Sequence, residues 1–374
     1  MLFTLLVFVI VLGVLVFVHE LGHFIVAKKA GLKVEEFGFG FPPRIFGIRR
    51  GDTVYSINWL PFGGFVRIHG EGGEDEKNPK SFANRGAGIR ALILSAGILM
   101  NLLLAIVLFS VGLALGYPQA LPDDGGSVDP SQVHVNVAQV DPESPAALSG
   151  IQILDEIVAV NNDPVNTARE VREKVTAVKG KPATVTIVRD GKEQDVQVTP
   201  RANPAENQGA LGVELVTNAV VRYPWYQALW LGVQTTFETL WLIIISIFGL
   251  IRDAFVSGSF NGDAVTGPIG IASLSGQFAR QGFVYVLWFM AFLSVNLAFM
   301  NALPIPALDG GRLLFVLIEK IRGGKKIQQQ TENIIHAVGF FLLIGLILVV
   351  TVKDVFRFQG SFGHLFETIR SWFL

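Results

Sequence analysis

Residues Leu2 to Val18 carry no charge, the apolar pattern resumes at Phe24 and runs to Lys28-Lys29, and between the two lies His19-Glu20-Leu21-Gly22-His23. An uncharged run of this length approaches the ~20 residues that cross a bilayer as a helix. Two imidazoles and a carboxylate therefore stand inside a membrane helix rather than beside one. Ionisable groups at that depth cost ~2.5–3.5 kcal/mol each even on lenient scales and mark a functional site by default. The chain is expected to be a polytopic α-helical membrane protein with its chemistry in the first span.

The spacing names the chemistry. Positions i and i+4 share one helix face, with Cβ atoms ~5–6 Å apart. His19 and His23 can each give a ring nitrogen to one zinc ion at ~2.0–2.1 Å. Glu20 is close enough to reach a water beside that ion. HExxH supplies two ligands and the general base of zinc peptidases. The competing reading is a polar seam between packed helices, which Ser, Thr or Asn would make at lower cost. The chain has no cysteine, so a bound Zn2+, expected at one per chain, is held by His and carboxylate.

Hydrophobic residues make up 51% and charged residues 16%, in keeping with a membrane protein; the net charge of −1 argues against a nucleic-acid partner. The first segment lacks the basic start and small-residue cleavage site of a signal peptide, and cleavage would discard the histidine pair.

Apolar stretches lie at about 2–27, 91–116, 224–251, 282–318 and 334–352. Residues 28–90 hold eleven Lys and Arg, and short basic loops stay cytoplasmic. The first span then runs inward and the second returns. His19 precedes Lys28 by nine residues, ~13 Å of helix, which places the metal toward the cytoplasmic side. Residues 117–221 are soluble in character and should face outside, whereas the basic segment 318–326 should be cytoplasmic. An odd number of crossings must separate them, so 224–251, interrupted by Thr235, Thr236 and Glu238, is expected to lie in the interface. About four transmembrane helices result; a genuine span at 224–251 is the alternative.

A catalytic zinc needs a third protein ligand and an open position. Asp309 is the only carboxylate between Asp263 and Glu319. It follows Pro304 and Pro306, which break the helix, and broken helices at membrane depth line cavities or are buried in protein. Ten residues of helix to Glu319 give ~15 Å, close to the depth of His23. The competing reading is a helix-capping Asp before Gly310-Gly311.

HExxH in the first span with Asn301-Ala-Leu-Pro304-Ile-Pro-Ala-Leu-Asp309-Gly in a late one resembles the site-2 protease family of intramembrane zinc metalloproteases. The likeness is to the bacterial branch with an external PDZ domain that includes the regulator-of-sigma-E protease. It implies His19, His23 and Asp309 as ligands, Glu20 as base, and Asn301 near the substrate or oxyanion, with Pro304 in the same substrate-binding segment. Gly267-Pro-Ile-Gly270 resembles a further family signature. In the second span the family's G-P-x-x-N is met by Gly97 and Asn101, with Ile98 in place of Pro. Asn101 itself reads as helix–helix glue, His336 as interfacial, and His69 and His134 as solvated.

Residues 37–69 read as a hairpin, with strands at Thr53–Leu60 and Gly64–Ile68 joined by a Pro-Phe-Gly turn. The family has a membrane-associated β-hairpin here, and Tyr55, Ile57 and Trp59 are candidate substrate contacts through strand addition; an ordinary cytoplasmic hairpin is the alternative. Asp141-Pro-Glu-Ser-Pro-Ala-Ala-Leu-Ser-Gly-Ile151 followed by Asp155-Glu-Ile-Val-Ala-Val-Asn161 resembles bacterial PDZ domains, with Leu154 where Gly is usual. Gly209, Leu211, Gly212 and Val213 resemble the carboxylate-binding loop of a circularly permuted version, implying a C-terminal peptide ligand or, equally, a size filter.

The expected organisation is 1–116 as the first half of a membrane core, 117–221 as an extracytoplasmic α+β PDZ domain, 222–280 as a connecting segment and 281–374 as the second half. The expected function is cleavage within single-span membrane proteins, such as anti-sigma factors or remnant signal peptides, in the bacterial inner membrane. The alternative is a zinc-containing PDZ scaffold without proteolytic activity. A structural zinc site would be closed by four protein ligands, and only three are found.

Overall fold

The computed structural model of the chain describes residues 2–121, 133–204, 209–257 and 266–357. Two compact units result, Met1–Val111 with Trp225–Leu374, and Gly112–Pro224.

The first unit opens with helix α1 (Leu2–Lys29), strands β1 (Val34–Arg50) and β2 (Thr53–Ile68), and helix α2 (Ala87–Leu115). Each strand doubles back, so that four segments pair in turn. Phe37 pairs with both Val66 and Tyr55, and Tyr55 with both Phe37 and Ile48; Ile57 likewise meets Phe39 and Phe46. Gly40, at φ +79°, makes the bend in β1: a Cβ there would stand 2.7 Å from the Leu60 carbonyl oxygen. The backbones of Tyr55 and Ile57 are thus paired on both sides and cannot accept a further strand, contrary to the sequence expectation. Their side chains, and that of Trp59, are exposed. The sheet edge lying against α1 is Gly64–Ile68 instead. Beyond it, His69 does not stand free in solvent but bonds Glu35 at 2.9 Å and Asp75 at 3.1 Å.

The second unit holds β3 (Tyr117–Ala120), β4 (Val133–Val140), α3 (Pro145–Leu148), β5 (Glu156–Val160), β6 (Asp163–Pro164), α4 (Ala168–Ala177), β7 (Ala183–Arg189), β8 (Lys192–Val198) and β9 (Val213–Val221). The strands run in the order β3-β9-β4-β5-β7-β8, with β6 on β5. Helix α4 buries Ala168, Val171 and Val175, a helical period, onto a core with Val135, Val137, Ile157, Val185 and Ile187. Thr167 caps it by accepting the Glu170 N–H. Leu154 has φ +74°, a conformation costing ~1–2 kcal/mol for an L-residue and free for Gly. Asp155, just beyond, takes the Arg189 guanidinium on both oxygens at 2.7 and 2.6 Å. His134 bonds Glu156 at 2.5 Å. Gly209, Leu211, Gly212 and Val213 form the turn into β9, where the Leu211 carbonyl accepts the Ala146 N–H.

The chain returns to the first unit with α5 (Trp225–Ser257), α6 (Pro268–Gln281), α7 (Phe283–Ala302), α8 (Asp309–Ile321) and α9 (Gln329–Arg357). Among the described residues five helices are long and apolar enough to cross a membrane: Leu2–Lys29, Ala87–Leu115, Trp225–Asp253, Phe283–Ala302 and Gln329–Val355. The third is the stretch expected at the interface. Its polar residues do not interrupt it: the Thr236 hydroxyl donates to the Gly232 carbonyl, and Glu238 accepts from Gln234. Leu240, Ile243 and Ile247 pack in one cluster with Val11 and Leu15 of α1, Phe109 of α2 and Val295 of α7.

Between membrane helices close fit, not water exclusion, drives packing. Gly22 provides it for α1 and α2: a Cβ there would lie 2.4 Å from the Ala96 carbonyl oxygen. The Gly267-Pro-Ile-Gly270 motif opens α6, whose first turn has no cap of its own. Buried Asp354 of α9 takes that place by accepting the Gly270 N–H at 2.8 Å, a carboxylate at a helix N-terminus.

Candidate metal centre

Helix α1 carries His19 and His23 on one buried face. Helix α8 brings the third group. Leu303, Pro304 and Ile305 turn the chain after α7, and α8 restarts at Asp309. Gly310 and Gly311 allow the sharp return, since a Cβ on either would lie 2.2–2.3 Å from the Leu303 or Ile305 carbonyl oxygen. Gly310-Gly311 is therefore the first turn of a helix rather than a loop after a cap, and the Asp309 carboxylate faces α1.

His19 Nε2 and His23 Nε2 lie 3.2 Å apart. Asp309 Oδ2 lies 2.9 Å from the first and 3.3 Å from the second. A tetrahedral ion with bonds of ~2.0–2.1 Å holds its ligand atoms ~3.3 Å apart, close to these three edges. Buried Asp309 Oδ2 meets no polar partner apart from these two ring nitrogens. Among the described residues this is the one group of three or more His, Asp or Glu arranged to hold a metal. The residues present thus fit a zinc ion in number, type and spacing.

Space for the ion comes from α2. A Cβ on Gly97 would stand 2.4 Å from His23 Nε2 and 2.8 Å from His19 Nε2, so any other residue would fill the position. The same helix face holds the outer ring nitrogens: His23 Nδ1 bonds the Ile93 carbonyl at 2.8 Å, and His19 Nδ1 lies 3.2 Å from Asn101 Nδ2. Ile93, Gly97 and Asn101 are spaced by four, one stripe of a helix antiparallel to α1.

Glu20 turns toward the hairpin, where its Oε2 accepts the Val66 N–H at 3.1 Å. Val66 was not singled out by sequence, because a backbone donor leaves no trace in residue type. Asn301 is half-buried in the last turn of α7 and Pro304 is exposed beyond it; both lie in the segment that delivers Asp309, and among the described residues no hydrogen bond ties either to the cluster. His336 of α9 is nearer the centre than expected, accepting the Ala307 N–H at 2.9 Å two residues before Asp309.

A model of peptidase family M50 matches residues 7–346. A Clostridium perfringens protein with a zinc-metalloprotease name is 39% identical over 344 residues, covering 91% of this chain and 95% of its own. The zinc metalloprotease RasP of Geobacillus kaustophilus is 32% identical, covering 94% and 97%. The regulator of sigma-W protease RasP of Bacillus subtilis is 30% identical, covering 95% and 98%.

Proposed function

The chain belongs to peptidase family M50, the site-2 protease family, and is a zinc metalloprotease of the membrane; from that premise we propose that it cuts peptide bonds within the transmembrane segments of single-span membrane proteins, with His19, His23 and Asp309 as zinc ligands and Glu20 as general base. The observation that carries this reading is the convergence of three ligand atoms within 3.3 Å of one another among helices able to cross a bilayer.

Zinc held there supplies Lewis acidity toward a water molecule and the scissile carbonyl. Glu20 takes the proton of the attacking water and returns it to the amide nitrogen as the C–N bond breaks, leaving a carboxylate and an amine. The Val66 N–H fixes which way the Glu20 carboxylate faces. An amide inside a membrane helix is already hydrogen-bonded, so the substrate must unwind first. An extended segment would gain replacement partners by adding as a strand to a sheet edge.

The basic loop 28–90 supports a cytoplasmic hairpin and a metal toward the cytoplasmic side, with 117–221 outside and the inner membrane as location. The second unit, Gly112–Pro224, supports a PDZ-like domain in that region, which captures a C-terminal peptide or filters substrates by size. The name of the Bacillus subtilis relative, a regulator of sigma-W protease, favours a membrane-anchored regulator such as an anti-sigma factor as substrate over remnant signal peptides.

The test compares membrane proteomes of cells carrying wild type or Glu20→Gln. Truncated single-span proteins that accumulate only with the variant would name the substrates. No accumulation, with zinc bound in both proteins, would remove the intramembrane reading.

A further inference from the structure

Asn101 is fully buried, and its side chain reaches α1 rather than α7. The contact from α2 to α7 here is made by backbone, the Ser294 hydroxyl donating to the Asn101 carbonyl at 2.8 Å. The side-chain amide meets His19 Nδ1 through its nitrogen, and its oxygen is buried with no hydrogen-bond partner.

The two histidines then differ in a way that matters for a metal. The Ile93 carbonyl can only accept, so His23 carries a hydrogen on Nδ1, and in the neutral ring Nε2 is the nitrogen with a lone pair to give. The Asn101 amide nitrogen can only donate. Opposite it, His19 Nδ1 is the acceptor, and the His19 hydrogen sits on Nε2, 2.9 Å from Asp309 Oδ2. For His19 Nε2 to give its lone pair to an ion, the hydrogen must move to Nδ1, and Nδ1 then needs an acceptor. A half-turn of the Asn101 amide supplies one, because it brings the unpartnered Oδ1 to where Nδ2 stands.

We propose that Asn101 is a positioning residue of the metal centre: its amide oxygen accepts the Nδ1 hydrogen of His19 and holds the ring with its Nε2 lone pair toward the zinc. This rests on the ligand set proposed above. Outer partners of ligating histidines fix tautomer and ring orientation, and losing one costs ~10–100-fold in metal affinity. The Ile93 carbonyl serves His23 and Asn101 serves His19, one turn to either side of Gly97. Position 98, where Ile stands in the G-x-x-x-N spacing, takes no part in this stripe.

The experiment measures zinc affinity by chelator competition on the full-length protein in detergent for wild type, Asn101→Leu, Asn101→Asp and His23→Ala, and records the visible spectrum of each with Co2+ in place of zinc. Asn101→Leu, of similar size without an acceptor, is expected to bind zinc ~10–100-fold more weakly with unchanged thermal unfolding in excess chelator. Asn101→Asp keeps an acceptor and is expected to match wild type in affinity and cobalt spectrum. Helix glue predicts the opposite for Asp, since an unpaired buried carboxylate is costly. Zinc binding by Asn101→Leu within about twofold of wild type, a small fraction of that loss, would overturn the proposal. So would an Asn101→Asp variant that loses zinc; this second test stands even if Asn101→Leu does not fold. Undiminished zinc in His23→Ala would instead remove the ligand set, and the Asn101 role with it.

Discussion

The backbone N–H of Val66 donates to the carboxylate of Glu20 across 3.1 Å, joining the edge of a sheet to the helix that carries HExxH. Val66 sits opposite Phe37 in the register, and its N–H points out of the sheet. A backbone donor is removed only by proline, which an outward-facing edge position tolerates. Hydrogen bonds to charged groups are worth ~1.5–3 kcal/mol, or ~10–100-fold. Val66→Pro should therefore retain zinc and lower the single-turnover cleavage rate by at least ~10-fold, the low end of that range. Val66→Ala, which trims the side chain and keeps the donor, should stay near wild type. Equal rates for Val66→Pro and wild type would show that the strand does not hold the base.

Gly97 makes the most direct steric prediction. Its missing side chain leaves the space between two ring nitrogens, which a Cβ would approach to 2.4 and 2.8 Å. Both contacts fall on short, buried rings, so neither can swing aside as a flexible side chain would. Gly97→Ala should lose zinc as completely as His23→Ala while remaining membrane-inserted and folded by circular dichroism. Stoichiometric zinc in Gly97→Ala would mean that α2 is free to retreat.

Much of this site was legible in the sequence because its chemistry demands particular residues at particular spacings. His19 and His23 need the helical i,i+4 step, and Asp309 is the one carboxylate between Asp263 and Glu319. The sequence alternates over Val133–Val140 and Ala183–Val188 and is amphipathic near Thr167–Val178, where the structure has strands Val133–Val140 and Ala183–Arg189 and helix Ala168–Ala177. What was hidden was carried by backbone or by distant partners. The double pairing of Tyr55 and Ile57 arises because β1 and β2 each fold back, which alternation cannot report. Asp354 capping α6 joins residues 84 positions apart. Thr236 and Glu238 read as interruptions of a span because their partners, Gly232 and Gln234, lie on the same helix and satisfy them there.

His69 gives a pH prediction outside the spans. It bonds Asp75 and Glu35, and these two partners, Asp75 foremost, raise its pKa above the ordinary value. A raised pKa means that the charged form stabilises the fold. The contribution is complete below the unfolded value of ~6.5 and is lost as pH climbs through the folded value. An NMR titration of the His69 ring should give a midpoint above ~6.5, lowered more by Asp75→Asn than by Glu35→Gln. Backbone protection in the 69–82 loop should fall over the same pH range in wild type and stay flat in His69→Gln. A midpoint at the free-histidine value would remove the coupling.

The buried pair Arg90–Glu319 ties α8, and so Asp309, to α2, beside the packing of Val316 on Ile93 and Leu94. One guanidinium nitrogen lies 2.5 and 2.6 Å from the two Glu319 oxygens, and the side chains are 10% and 11% exposed, so little solvent screens them. Arg90 also donates to the Arg85 carbonyl. Removing one partner of such a pair leaves a lone buried charge and costs ~3–5 kcal/mol, whereas replacing both with apolar residues of similar volume is often neutral. Glu319→Met and Arg90→Met should each lower the thermal unfolding temperature sharply, and the double variant should recover most of the loss. Zinc affinity separates two uses of the pair. If it only contributes stability, the double variant binds zinc as wild type does. If its directional hydrogen bonds set the position of α8 along α2, the double variant regains stability but binds zinc more weakly, because Asp309 sits ten residues up the same helix. The second outcome is expected, since an apolar contact fixes a distance between helices but leaves them free to slide.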